Sequence, residues 1–320
     1  MKRSILAVLL ALGAAGASAQ EFPNRPVRFL VAYPAGGGVD MMARAVAGVL
    51  GARLGQTVIV ENRPGASGSL ATGLVAKAPP DGYTILVTGD APVTQVPLVS
   101  KVSYDPYRDL TALVKGVTVP TSILVPASSP LRSLADVLQY ARANPGKLTY
   151  GTPGNGSGMH VELEMLKERQ RIDITHVPYK GAPPIIVDTM ASQISIGAPG
   201  IPAAIPNIRS GQLRLLGVWS PTRIAAFPDV PTVSEATGDP SLQGLPTWYG
   251  FLLPAGVPKA VVARLEADIV ASLNDPEVTK RMQDSGATVV AQTGAAFDEA
   301  NRAQTATFAA IFKKLDLKPD

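Results

Sequence analysis

Residues 31–40 read VAYPAGGGVD, and this stretch decides the first part of the fold. An apolar, β-branched run leads into it from Val27, and an apolar segment ending near Leu54 follows it. The sequence therefore predicts a strand, a glycine turn and a helix. Asp40 stands where the capping residue of that helix is expected. The three consecutive glycines leave no side chain at the turn, which lets another group approach the backbone closely.

The same order of strand, loop and helix repeats along the chain. Further strands are predicted near residues 58–60, 83–87, 122–125, 148–150, 172–177, 193–196 and 213–218. The last third has helical periodicity, first around residues 262–273 and then around 297–315. Alternating strands and helices imply right-handed crossovers and mainly parallel sheets flanked by helices. The predicted fold class is therefore α/β.

The chain has 320 residues, and at about 150 residues per domain this length suggests two lobes. Residues 1–19 combine Lys2 and Arg3, a short apolar run and the tripeptide ASA at 17–19, which is typical of a secretory signal peptide. In two-lobed α/β proteins the C-terminal helices commonly pack back on the first lobe. By that analogy we expect lobe 1 to comprise residues 20–118 and 222–320, and lobe 2 to comprise residues 119–221.

The composition excludes several classes of site. There is no cysteine, so disulfides, thiolate metal sites and cysteine nucleophiles are ruled out. Without Lys2 and Arg3 the 29 basic residues become 27, against 25 acidic ones, a net charge of +2. Charges of both signs are interspersed and aromatic residues make up only 5% of the chain, so a nucleic-acid-binding surface is not expected.

A second glycine loop strengthens the argument for a ligand site. Residues 151–166 read GTPGNGSGMHVELEML and again follow a predicted strand and begin a helix. The first N–H groups of a helix lack partners and carry positive potential, so such an end binds anions. Two such loops in two lobes suggest a clamp around an anion, although each glycine loop alone is also compatible with a simple tight turn. Neither loop matches a nucleotide fingerprint, so no cofactor is expected.

The candidates for catalysis and metal binding are weak. His160 and Glu164 have i,i+4 spacing, but no third metal ligand is in view, and a hydrogen-bonded histidine at a helix start is the favoured interpretation. No motif for a serine nucleophile is present. Lys180 is interpreted as a solvated loop residue, and the WYG tripeptide at 248–250 as structural packing. We therefore expect no metal site and no enzymatic activity.

Taken in order, the loops resemble those of the tripartite tricarboxylate transporter receptors, the Bug-type periplasmic solute-binding proteins. The resemblance covers essentially the whole mature chain and rests on RPVRFLVAYPAGGGVD, VENRPGASG, PDGYT, YDPYRDL, NPGKLTYGTPGNGSG, HVPYKG, SGQLR, DVPTVSEA, WYGFLLPAG and DPEV. It implies a type II clam-shell of two lobes that binds a small organic carboxylate in its cleft. It also implies delivery to a membrane permease with one large and one small subunit, location in the periplasm, and a monomer.

In such receptors backbone amides, hydroxyls and ordered waters hold the carboxylate. Carried over residue by residue, the resemblance implies a ligand site formed by Tyr33, Ala35, Gly36, Gly37, Gly38, Val39, Asp40, Thr88, Gly89, Asp90, Ala91, Thr152, Asn155, Gly156, Ser157, Gly158, Met159, His160, Tyr179 and Pro199.

The chain departs from the family pattern at Val39, where threonine is common, at Gly158 and Met159, where serines are common, and at residues 198–200, where an acid is common. These departures indicate a less polar ligand, an aromatic or longer aliphatic carboxylate. Asp90 would repel an anion unless it were protonated or faced a hydroxyl or amine of the ligand. A receptor for a sensor kinase and a periplasmic enzyme acting on a carboxylic acid remain as alternatives.

Overall fold

The computed structural model describes residues 22–245 and 247–315. The predicted signal peptide, residues 1–19, lies outside the described residues. In the described part of the chain, no helix combines the length and the apolar character that crossing a membrane requires.

Eleven strands are described. In chain order they are β1 (Val27–Val31), β2 (Val58–Asn62), β3 (Thr84–Gly89), β4 (Leu110–Thr118), β5 (Thr121–Pro126), β6 (Thr149–Thr152), β7 (Thr175–Pro178), β8 (Ile196–Gly197), β9 (Leu213–Trp219), β10 (Trp248–Pro254) and β11 (Thr288–Thr293).

The α-helices in the described part of the chain alternate with these strands. They are α1 (Gly38–Leu54), α2 (Ser69–Ala76), α3 (Ala91–Thr94), α4 (Val96–Val99), α5 (Leu134–Ala143), α6 (Gly158–Gln170), α7 (Ala182–Met190), α8 (Ile205–Arg209), α9 (Val233–Thr237), α10 (Lys259–Leu273), α11 (Pro276–Asp284) and α12 (Gly294–Lys314).

The strands form two sheets. The first has six strands in the order β11-β4-β10-β3-β1-β2, and the second has five in the order β7-β6-β8-β5-β9. In the first sheet β1 is parallel to β2 and β3, whereas β10 is antiparallel to β3 and β4. In the second, β6 is parallel to β7 and β8, whereas β5 is antiparallel to β8 and β9.

The two-lobed α/β fold is confirmed, but the sheets are mixed rather than mainly parallel. The antiparallel half of each sheet lies where the chain passes between the sheets, from β4 directly into β5 and from β9 back to β10. Consecutive parallel strands in one sheet are joined by a crossover, usually a helix. A strand that enters the sheet from the other lobe has no such crossover, so it can run antiparallel to its neighbours.

Apolar layers cover both faces of the first sheet. On one face α1 and α10 bury residues such as Met42 and Leu265 in one apolar cluster with the sheet, in which the rings of Phe29 and Phe251 lie 5.4 Å apart. On the other face the ring of Phe297 from α12 meets that of Trp248 edge-on at 4.9 Å. With both faces covered, this sheet is a rigid base for the loops at the ends of its strands.

The second sheet has its own core, which includes Tyr150 and Leu163. Val233 and Leu242 also pack in this core, so the chain stays beside the second sheet beyond the end of β9. The C-terminal helix α12 reaches both sheets, since it covers β4 and also places Phe308 against Val161 of α6.

Candidate functional site

The first glycine loop leads from β1 into α1, as the sequence predicts, but Asp40 does not cap the helix. Gly37 occupies the cap position with an extended backbone, and Asp40 lies in the first helical turn. Its Oδ2 accepts a 3.0 Å hydrogen bond from the Gly36 amide, and its carboxylate also accepts from Arg44 and Asn62. Burial disfavours the charge, but these bonds outweigh burial and lower the pKa of Asp40.

The three glycines of this loop have different physical roles. Gly36 has a φ of 80°, a turn conformation that suits glycine. A Cβ on Gly38 would lie 2.7 Å from ring carbon Cε2 of Tyr249, and one on Gly200 would lie 2.5 Å from the tyrosine hydroxyl. Gly38 and Gly200 are therefore needed so that Tyr249 can reach between the lobes.

The second glycine loop begins α6 with a side-chain cap. Ser157 is the capping residue, and its hydroxyl accepts a 3.3 Å hydrogen bond from the amide of His160. Nδ1 of His160 in turn accepts from the amide of Gly156 at 3.2 Å. The preferred interpretation of His160, a hydrogen-bonded histidine at a helix start, is confirmed.

Behind this loop the two histidines stack inside the second lobe. The rings of His160 and His176 are 4.0 Å apart, and Nε2 of His176 lies 2.6 Å from the hydroxyl of Thr152. Burial is the largest effect and, together with the neighbouring His160 and Lys167, lowers the pKa of His176 to about 3. The ring is therefore neutral at pH 7 and supplies no cation to a ligand.

Both loops and the end of β3 border one small cavity between the lobes. Its volume of about 40 Å³ is room for about three water molecules. It is lined by Tyr33, Gly37, Gly38, Val39, Gly89, Asp90, Ala91, Pro153, Ser157, Gly158, Met159, Ala182, Pro183, Gly200, Thr247 and Tyr249.

Ten of the predicted site residues are in this lining, and the other ten are elsewhere. Those outside it are Ala35, Gly36, Asp40, Thr88, Thr152, Asn155, Gly156, His160, Tyr179 and Pro199. Asn155 and Tyr179 border a separate cavity of about 540 Å³. The hydroxyl of Tyr179 donates to Asp188 at 2.6 Å, and the carbonyl oxygen of Pro199 accepts from Ser122 at 2.8 Å.

Six lining residues were not predicted as site residues: Pro153, Ala182, Pro183, Gly200, Thr247 and Tyr249. Ala182 and Pro183 begin α7 after Gly181, so a third helix start faces the cavity. A glycine followed by small residues and prolines is a signal for a helix start, and it was present in the sequence. Tyr249 has no such local signal, because pairing of β10 with β3 brings it beside Gly89.

Asp90 is the only acidic or basic residue among the described residues that line the cavity. It is 4% exposed, and its Oδ2 accepts hydrogen bonds of 2.9 Å from the side-chain amides of both Gln95 and Gln304. Burial is the largest effect and raises the pKa of Asp90 to about 7, although the two amide hydrogen bonds act in the opposite direction. The hydroxyl of Thr247, also in the lining, has no hydrogen-bond partner among the described residues.

This arrangement suits the binding of an anion. The starts of α1, α6 and α7 face the cavity and direct positive potential into it. The first turn of α7 adds only the Ala182 amide as a donor, because Pro183 and Pro184 have no N–H group. The described residues contain no group of three or more His, Asp or Glu side chains that could hold a metal ion. Most other lining groups are apolar or glycine, which leaves backbone amides and hydroxyls as the hydrogen-bonding groups.

A larger cavity of about 490 Å³ also borders Thr247. It is bordered by the chain crossings between the lobes, including Thr118 and Trp219, and by Gly286 near the start of β11. None of the glycine-loop residues borders it, so we place the candidate site in the smaller cavity.

Residues 42–317 match the family model described as the tripartite tricarboxylate transporter family receptor. The chain belongs to this receptor family. A relative from Pseudomonas sp. (strain P51), described as a UPF0065 protein in the tcbD-tcbE intergenic region, is 35% identical over 288 residues, which cover 89% of this chain and 85% of the relative. The periplasmic binding protein BugD is 31% identical, with a TM-score of 0.88 over 93% of this chain and 100% of that chain.

Two similar structures contain a carboxylate. An R. palustris protein solved with adipate is 30% identical, with a TM-score of 0.89 over 94% of this chain and 100% of that chain. MatC from Rhodopseudomonas palustris, solved with malate, is 29% identical, with a TM-score of 0.84 over 91% of this chain and 99% of that chain. Members of the family are thus periplasmic solute-binding proteins, and some bind dicarboxylates.

Proposed function

We propose that this protein is exported by residues 1–19, captures a small organic carboxylate between its lobes and delivers it to a tripartite tricarboxylate-type permease without transforming it. The main support is the position of the starts of α1, α6 and α7 around one cavity whose described lining residues include no lysine, arginine or histidine. In such a site helix-start amides, rather than side-chain cations, neutralise the ligand.

The apolar part of the lining supports a ligand less polar than citrate. Val39 and Met159 border the cavity together with Pro153 and Pro183, and each is a buried or partly buried group without a hydrogen-bonding side chain. An aliphatic or aromatic body could contact these groups while a carboxylate meets the amides. The structure solved with adipate shows that a related protein accepts an aliphatic dicarboxylate.

Ligand entry requires the lobes to separate. A cavity of about 40 Å³ accommodates little more than a carboxylate group and its waters, and a dicarboxylate is larger. We propose that the lobes open by a hinge at the crossings from β4 to β5 and from β9 to β10, and close around the ligand.

The first experiment is a thermal-shift screen of the mature protein against aliphatic and aromatic mono-, di- and tricarboxylates. An acid present at 100 times its Kd stabilises the folded state by about 2.7 kcal/mol. For a protein of this size that corresponds to a rise in Tm of roughly 5 °C. Tight binding of citrate, with no binding of aliphatic or aromatic acids, would exclude the less polar ligand but not the receptor function.

A matched pair of variants locates the site. In Gly37→Asp a carboxylate occupies the start of α1, whereas Gly37→Asn adds a neutral side chain of the same size. In both, the new Cβ lies 3.3 Å from the carbonyl oxygen of Pro34 and 3.8 Å from Pro183 Cδ, so they differ in charge alone. The proposal predicts folded proteins in both cases, with the ligand-induced shift lost in the aspartate variant and retained in part in the asparagine variant. Equal shifts in both would remove the start of α1 from the site.

A further inference from the structure

Asp90 is an unexpected residue in a cavity built for anions. It follows β3 directly, borders the cavity and forms no ion pair among the described residues. Two explanations are chemically possible: an ionised Asp90 could face a ligand ammonium group, or a protonated Asp90 could donate a hydrogen bond to a ligand carboxylate. The hydrogen bonds and the surroundings of Asp90 distinguish between them.

The orientation of Gln304 is fixed by Trp248. The indole N–H can only donate, and it donates to Oε1 of Gln304 at 3.0 Å. The amide nitrogen of Gln304 must therefore face Asp90, where it donates to Oδ2 at 2.9 Å. Gln95 donates to the same oxygen. An oxygen that accepts two N–H groups takes the carbonyl role in a neutral carboxylic acid, so the proton of the acid form belongs on Oδ1.

The titratable groups near Asp90 come from four other segments. Lys115 of β4 favours the ionised form of Asp90. Glu162 of α6 and Asp90 repel each other when both are ionised, which disfavours two buried carboxylates. Tyr33 and Tyr249 contribute hydroxyls whose own pKa values are raised, first by burial and then by Asp90, so both stay neutral. Burial and Glu162 thus oppose the effect of Lys115 on the ionisation of Asp90.

The helix starts decide between the two explanations. The positive potential of α1, α6 and α7 disfavours an ammonium group in the cavity and favours a carboxylate. A carboxylate ligand beside an ionised Asp90 would place two negative charges in a site whose described lining residues include no cation. Resting on the proposed function, we propose that Asp90 binds as the neutral acid and donates its Oδ1–H to a carboxylate of the ligand, so that binding takes up a proton from solvent wherever free Asp90 is ionised.

This mechanism makes affinity depend on pH. With burial raising the pKa of free Asp90 to about 7, roughly a tenth of the protein is in the binding form at pH 8 and most of it at pH 6. The apparent Kd should therefore be about 10-fold weaker at pH 8 than at pH 6. An ionised Asp90 that paired with an ammonium group would give the opposite trend.

The test uses isothermal titration calorimetry of adipate and of 6-aminohexanoate, in which a –CH2–NH3⁺ group takes the place of one carboxylate in a chain of similar length. Titrations at pH 6, 7 and 8, in buffers of different ionisation enthalpy, give the affinity and the number of protons taken up. The wild type should prefer adipate, bind it about 10-fold more weakly at pH 8 than at pH 6, and take up close to one proton at pH 8.

Asp90→Asn is the matched variant, because its amide keeps an oxygen for the two glutamines and presents an N–H in place of the acid proton. It should bind adipate with little pH dependence between pH 6 and 8. Loss of adipate binding in the folded Asp90→Asn protein, preference for 6-aminohexanoate, or equal wild-type affinity at pH 6 and 8 would each overturn the role of Asp90. If the wild type bound no carboxylate of the panel, the proposed function itself would fail.

Discussion

Ser67 and Asn155 join the two lobes across the cleft: the serine hydroxyl donates a 3.1 Å hydrogen bond to the carbonyl oxygen of Asn155. Gly154 permits this contact, because a Cβ at that position would collide with the hydroxyl of Ser67. The bond can form only when the lobes are close together. The described conformation is therefore a closed one, and it is held partly by groups that do not border the ligand cavity.

Ser67→Ala should weaken ligand binding by destabilising the closed conformation. A solvent-accessible hydrogen bond of this kind contributes about 0.5–1 kcal/mol, which corresponds to a two- to five-fold increase in Kd, mainly through faster dissociation. Stopped-flow measurement of dissociation, with a carboxylate identified in the thermal screen, checks this. Ser128→Ala, at an exposed position in the second lobe, is the control and should change nothing. The same rate in both variants would show that the bond does not contribute to closure.

The sequence predicted the elements whose signals are local. β1, the glycine loop and α1 follow one another within residues 27–54, and their apolar periodicity, turn residues and helix start are all contained in that stretch. The same is true of β6 and α6. Their loops border the cavity as predicted, because a strand end followed by a helix start fixes where the connecting residues lie.

Elements stabilised by distant partners were missed. Residues 110–118 read LTALVKGVT, in which Lys115 and Gly116 interrupt any simple strand pattern. This stretch becomes β4 because β10 and β11 pair with its two edges. Pairing of β10 with its neighbours also places Tyr249 in the cavity. The carboxylate of Asp40 is held by Asn62, and Asp40 is not among the lining residues of the cavity. Neither outcome could be derived from neighbours in sequence.

Substitution by alanine should lower ligand affinity at one glycine of α1 and raise protein stability at another. In Gly38→Ala the new methyl group would lie 2.7 Å from the ring of Tyr249, so the ring must move and ligand affinity should fall at least 10-fold. In Gly48→Ala the methyl group has no heavy atom within 4 Å, and the substitution should stabilise the helix by about 0.5–1 kcal/mol without affecting binding. Chemical denaturation and calorimetry measure both effects. Wild-type affinity in Gly38→Ala would show that the position of Tyr249 is unimportant for binding.

Gln304→Met should destabilise the protein and raise the pH at which ligand affinity declines. The substitution leaves the indole N–H of Trp248 without its acceptor, at a cost of about 1–3 kcal/mol in the free energy of unfolding. It also removes one of the two amide donors that lower the pKa of Asp90, so that pKa should rise. If Asp90 binds as the acid, the pH at which affinity declines should move upward. An unchanged or lower midpoint would contradict this coupling.

Glu162 provides a second buried carboxyl group, outside the cavity lining. It is fully buried, its Oε1 accepts a 2.9 Å hydrogen bond from the amide of Leu245, and its Oε2 has no hydrogen-bond partner among the described residues. Burial raises the pKa of Glu162 to about 8, while the Leu245 amide and the nearby Thr121 hydroxyl lower it to a smaller extent. The folded protein therefore binds this proton more tightly than the unfolded chain does.

Because the folded-state pKa is raised, the stability that this proton contributes is fully present below the ordinary glutamate pKa of about 4.5 and is lost as the pH rises through about 8. Glu162→Gln keeps the acceptor for Leu245 and never ionises. Between pH 5 and pH 8.5 the stability of the variant should therefore rise relative to that of the wild type by about 4 kcal/mol. Urea denaturation at both pH values measures this, with Glu299→Gln, at an exposed position on α12, as the control. Parallel pH profiles for the wild type and Glu162→Gln would show that Glu162 is already ionised in the folded protein at pH 5.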